Sequence, residues 1–118
     1  MSKRQHERVA VDAFVKVAGN KREYVFRTRD LSRAGLFLYT RVGHLYPFSV
    51  GSELDIELYD YDGAVELRAV VVRVVQPGSP EAARYPLGFG VRIIRVSEAD
   101  MARLDDLMAR AARGEDPY

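Results

Sequence analysis

The stretch Val9–Arg29, "VAVDAFVKVAGNKREYVFRTR", decides the fold class. Val9, Val11, Ala13, Val15 and Val17 fall at every second position, with Asp12 and Lys16 on the opposite side. A period of two places the apolar side chains on one face of a half-buried strand. Gly19-Asn20 then signals a hairpin, and "EYVFRTR" reads as the return strand.

The same reading extends along the chain. After the break "DLSRAG", the segment "LFLYT" reads as a short strand, and "RVGHLYPFSVGS" as a loop. In "ELDIELY", Leu54, Ile56 and Leu58 point inward; "DYDG" is a second hairpin turn. "AVELRAVVVRVVQ" is a long strand whose alternation breaks around Val70–Val72, which predicts a bulge or burial on both faces. "PGSPEAARYP" is a loop, and "LGFGVRIIRV" the last strand, with Phe89, Val91 and Ile93 on one face. Then the period changes. Ser97 is an N-cap before the acidic first turn Glu98–Asp100, and Met101, Leu104, Leu107, Met108 and Ala111 form an apolar stripe at helical spacing. Arg110 and Arg113 occupy the last turn and Gly114 the stop. Six short strands and one terminal helix predict an all-β, six-stranded antiparallel barrel, with the helix covering an end or a sheet face.

The composition narrows the functional classes. A chain of 118 residues, 47% hydrophobic and 30% charged, is one domain's worth of soluble globular protein. It has no cysteine and only His6 and His44, so thiolate and histidine-rich metal sites are not expected, and no acidic loop has the spacing of an oxygen-ligand site. The N-terminal residues lack the apolar stretch of a signal peptide, and apolar runs such as Ala69–Val72 are far too short to span a membrane. A cytoplasmic location without membrane insertion is therefore expected. No nucleophile–histidine spacing or phosphate-loop signature points to an enzyme.

Net charge is +1, but residues 1–41 carry +6 and residues 42–118 carry −5. That balance suits a compact anionic ligand better than a long nucleic acid. Arg4 and Arg8 lie four apart, just before the first strand. They are either a solvated basic tail or a pair of guanidinium forks able to grip phosphate or the O6/N7 edge of guanine. Asp30, Ser32 and Gly35 in "DLSRAG" are either an ordinary turn, with glycine at positive φ, or ligand contacts. In the latter reading Asp30 accepts from the N1–H and N2–H₂ edge of guanine, and Gly35 lets backbone approach the ligand.

Taken together, "RQHER" at Arg4–Arg8, 21 intervening residues, and "DLSRAG" at Asp30–Gly35 resemble the PilZ family of cyclic di-GMP receptors, whose pattern is RxxxR followed by [D/N]xSxxG. "GLFLYT", the strand after Gly51, "LRAVVVRV", "LGFGVRI" and the terminal helix also fit that family's layout. The resemblance implies one domain over residues 1–118: a mobile arm at 1–8, a barrel at 9–96 and a helix at 97–113. It implies that Arg4 and Arg8 wrap over cyclic di-GMP, that Asp30 holds a guanine Watson–Crick edge, that Ser32 hydrogen-bonds the ligand and that Gly35 keeps the turn open. Lys3, just before the first arginine, leans towards an intercalated pair of ligands, and Arg33 is an additional phosphate candidate. The implied protein is a receptor or adaptor, with no cofactor, that changes its contacts with an unidentified downstream protein as a monomer or ligand-linked homodimer. Only Met1–Lys3 precede the first motif, so output through a preceding domain is not expected. The competing readings are a PilZ-fold interaction module that binds no nucleotide, and a small barrel that binds single-stranded nucleic acid through aromatic platforms such as Tyr24, Phe26, Phe37 and Tyr39.

Overall fold

The computed structural model describes residues 8–19, 21–40, 48–60 and 63–114. Six strands are present: β1 (Val9–Gly19), β2 (Arg22–Leu31), β3 (Gly35–Tyr39), β4 (Glu53–Tyr59), β5 (Ala64–Val75) and β6 (Gly88–Val96). They close in the order β1-β2-β3-β6-β5-β4, every neighbouring pair antiparallel. Closure leaves no free edge to pair with another chain. The inward faces are those the alternation names: Val11, Ala13, Val15 and Val17 of β1, and Leu54, Ile56 and Leu58 of β4, are all buried.

The break in alternation on β5 is a bulge. Val71 pairs with Val91 and Arg73 with Gly90, so Val72 has no partner residue and stands 49% exposed. The first hairpin differs by one residue from the sequence expectation. Gly19 pairs with Arg22 and so belongs to the strand, and Lys21, just before Arg22, takes φ +62°.

Helix α1 (Glu98–Ala112) closes one end of the barrel against β1 and β5. Ser97 Oγ accepts from the Asp100 amide at 3.0 Å, capping the first turn. Leu104 and Leu107 are each 1% exposed, and Met101, Met108 and Ala111 pack beside them. Burying each leucine contributes roughly 1.5–3 kcal/mol. Arg103 fixes the helix in register: its Nε and Nη2 reach Asp60 in the β4–β5 turn at 3.0–3.2 Å. The opposite end is closed by Phe48, 4% exposed, whose ring meets Tyr24 edge-on at 5.3 Å and Phe89 at 5.7 Å. Phe48 lies in a stretch that reads as loop from the sequence; it enters the core because the barrel needs a plug there.

Candidate functional site

The site is built where β2 loses its regularity. Phe26 and Thr28 point inward, and strict alternation would send Asp30 the same way. Instead the register slips on both sides: against β1 between Ala10 and Ala13, and against β3 between Arg27 and Leu31. Fully buried Thr28 donates from Oγ1 to the Asp30 carbonyl at 2.8 Å, satisfying a hydroxyl that water cannot reach. Leu31 takes the inward position, and the Asp30 side chain remains 32% exposed at the rim. Irregular strand geometry of this kind re-aims a side chain, here a carboxylate.

Two side chains converge on that carboxylate. Arg8, immediately before β1, brings Nε to 3.4 Å from Asp30 Oδ1. Tyr39, from β3, donates its hydroxyl to Asp30 Oδ2 at 3.2 Å. Desolvation raises the Tyr39 pKa above its ordinary value, and the negative charge of Asp30 and the hydrogen bond to it add to the shift, so the phenol stays a donor at neutral pH. The contact between Arg8 and Asp30 Oδ1 is electrostatic only: that oxygen is buried and, among the described residues, has no hydrogen-bond partner.

The turn after Asp30 is held from within. Ser32 Oγ accepts from the amides of Ala34 at 3.1 Å and Gly35 at 3.2 Å, and the Ser32 amide donates to the Gly35 carbonyl at 2.9 Å. Ser32 is 2% exposed, so its hydroxyl organises the backbone beside Asp30. Gly35 is not at positive φ. It opens β3, and a Cβ there would lie 2.1 Å from the Val91 carbonyl oxygen, so glycine is required by close approach of β6. Arg33 turns towards the helix, where Nε meets Asp105 Oδ1 at 3.1 Å. Arg4 and Lys3 lie outside the described residues, as does all of the expected arm except Arg8.

A cleft of about 700 Å³ opens at Tyr39, lined by Arg27, Arg29, Tyr39, Thr40, Pro86 and Leu87; Asp30 and Arg8 are not part of its lining. The Arg29 guanidinium lies over the Tyr39 ring at 5.7 Å, and Phe37 meets that ring edge-on at 4.9 Å. Arg27 is engaged already, bonding Asp12 at 2.6 Å and stacking on Phe14. Cationic forks, an aromatic face and a fixed carboxylate suit a planar, hydrogen-bonding, anionic ligand. A second groove, of about 370 Å³, runs over β1, β4 and β5, but its charges are largely spent on one another. There Lys16 faces Glu23 and Glu57, and Arg68 binds Asp55 at 2.7 Å and Glu53 at 3.1 Å. Among the described residues no cluster of His, Cys, Asp and Glu is able to hold a metal ion, and no helix is long and apolar enough to cross a membrane.

Sequence reasoning places Tyr39 only as an aromatic platform and gives no part to Arg27 or Arg29. Their role depends on the β2–β3 register, in which Arg27 pairs with Tyr39, and no local motif encodes that register.

Comparison with known proteins agrees with this architecture. The PilZ domain family matches residues 2–110, and the chain belongs to that family. Its fold is similar to that of the PilZ domain with c-di-GMP of YcgR from Escherichia coli, at a TM-score of 0.74 and 15% identity, covering 96% of this chain and 94% of that one. It is also similar to the Bacillus subtilis inhibitor of motility (MotI/DgrA), at 0.71 and 17%, covering 97% of this chain and 51% of that one. A third similar structure is the K. pneumonia MrkH–c-di-GMP complex, at 0.68 and 20%, covering 98% of this chain and 56% of that one. The chain thus spans about half the length of the last two. No curated protein sequence matches it.

Proposed function

We propose that this protein is a cyclic di-GMP receptor that acts as an adaptor, altering its contacts with another protein when the nucleotide binds. The observation that carries the reading is the meeting of Arg8 and Asp30 at 3.4 Å, two residues from motifs with 21 residues between them. Two similar structures, the YcgR PilZ domain with c-di-GMP and the MrkH–c-di-GMP complex, support the same ligand here. In this reading Arg4 and Arg8 grip phosphate and the O6/N7 edge of guanine, and Asp30 accepts from N1–H and N2–H₂. Ser32 and Gly35 shape the turn that presents Asp30, and Lys3 bears on whether one ligand or an intercalated pair binds. The protein is a sensor and not a catalyst, and residues 1–118 act as one domain.

Calorimetric titration with cyclic di-GMP, with GTP and GMP as controls, tests the proposal. Saturable, selective binding that weakens about tenfold or more in Arg4→Ala, Arg8→Ala and Asp30→Ala is expected. Wild-type affinity in those variants, or no binding by the wild-type protein, refutes it.

A further inference from the structure

Asp30 poses a physical problem that neither motif solves. Among the described residues its buried Oδ1 has no hydrogen-bond partner, which is unfavourable for a carboxylate oxygen. If Arg8 is to grip a ligand, Asp30 also loses a cation 3.4 Å away. Something other than Arg8 must keep the carboxylate aimed. Tyr39 is built to do so: it donates to Oδ2 at 3.2 Å from a half-buried position, its ring clamped between Phe37 at 4.9 Å and the Arg29 guanidinium at 5.7 Å.

We propose that Tyr39, which lies in neither motif, is a positioning residue that sets the base selectivity of the site by locking the Asp30 carboxylate, through Oδ2, in a single orientation. The inference rests on the cyclic di-GMP reading above. A carboxylate accepts from guanine because N1–H and N2–H₂ are both donors. Where guanine has N1–H and N2–H₂, adenine presents an unprotonated N1 and a C2–H, so a fixed carboxylate faces a lone pair and is repelled. A carboxylate free to rotate turns away from that lone pair, and discrimination shrinks. Locking therefore matters more for choosing between bases than for holding phosphates, which is the work of the arginines.

Tyr39→Phe removes only the hydroxyl and keeps the ring against Phe37 and Arg29, so thermal stability should change little. The experiment measures the affinities of cyclic di-GMP and cyclic di-AMP for the wild-type protein, Tyr39→Phe, Asp30→Asn and the double variant. Tyr39→Phe should bind cyclic di-GMP about tenfold more weakly and lose most of its preference over cyclic di-AMP. In the Asp30→Asn background the added Tyr39→Phe substitution should have much less effect, since the two residues act as one unit. Unchanged selectivity in Tyr39→Phe, or equal losses in both backgrounds, overturns the role of Tyr39 and leaves the receptor reading standing. Absence of cyclic di-GMP binding by the wild-type protein overturns the receptor reading and this inference with it.

Discussion

At the scale of single residues, the same short motif holds side chains with different duties. Ser32 and Gly35 belong to the architecture of the turn: one bonds two amides, and the other leaves room for the Val91 carbonyl. Gly35→Ala forces a Cβ to within 2.1 Å of backbone oxygen, so β3 and β6 must separate. The expected cost is about 3 kcal/mol. A calorimetric scan should show Tm lowered by roughly 10 °C; a drop of only a degree or two would mean that the strands give way easily. Arg8 is the opposite case. Its pair with Asp30 is partly exposed, 43% for one side chain and 32% for the other, so Arg8→Ala should cost under about 1 kcal/mol of stability while weakening nucleotide binding. A large fall in Tm would mark Arg8 as a structural residue instead.

At the scale of elements, β2 and α1 show how position is enforced. Thr28 and the register slips re-aim the end of β2, and without them Asp30 would face the core. Helix α1 depends on Leu104 and Leu107 for burial and on Arg103 for placement. The Asp60 side chain is 8% exposed, so Arg103→Ala takes a guanidinium away from a nearly buried carboxylate that also accepts from the Gly63 amide at 2.7 Å. A loss of about 2 kcal/mol in urea unfolding is expected, below the cost of breaking a fully buried pair because Arg103 is 40% exposed. Arg103→Lys should recover only part of it, since one ammonium cannot reproduce the two-nitrogen grip. Full recovery by lysine would show that charge alone matters.

At the scale of the whole molecule, the barrel is closed laterally by hydrogen bonding and at its two ends by α1 and Phe48, so the ligand must be met on the outside. The charge distribution bears on which ligand that is. A basic front portion of +6 is offset by −5 in the remainder, which gives no long cationic track. Binding of cyclic di-GMP should weaken only modestly as salt rises, through screening of a few charges. A single-stranded oligonucleotide would show a log–log slope of roughly 0.7 per phosphate contacted. Titrations across a salt series, with both ligands, separate the two readings. Tight, steeply salt-dependent oligonucleotide binding without a response to cyclic di-GMP would sink the receptor proposal and leave the fold untouched.

The sequence by itself determined what depends on local periodicity and local chemistry. The period-two runs of β1 and β4 define inward faces, the 3.6-residue stripe and Ser97 define α1, and the break near Val72 marks a bulge. The two motifs, with their spacing, put Arg8 and Asp30 in one expected ligand site. The tertiary structure decided what depends on register and on packing between distant segments. The β2–β3 pairing sets Tyr39 beside Asp30, the approach of β6 explains Gly35, the open end of the barrel draws Phe48 inward, and Asp105 takes Arg33 towards the helix. A one-residue slip in register reverses the face of every side chain on a strand, and no single strand carries the information that forbids it. That information exists only when all six strands close on one core.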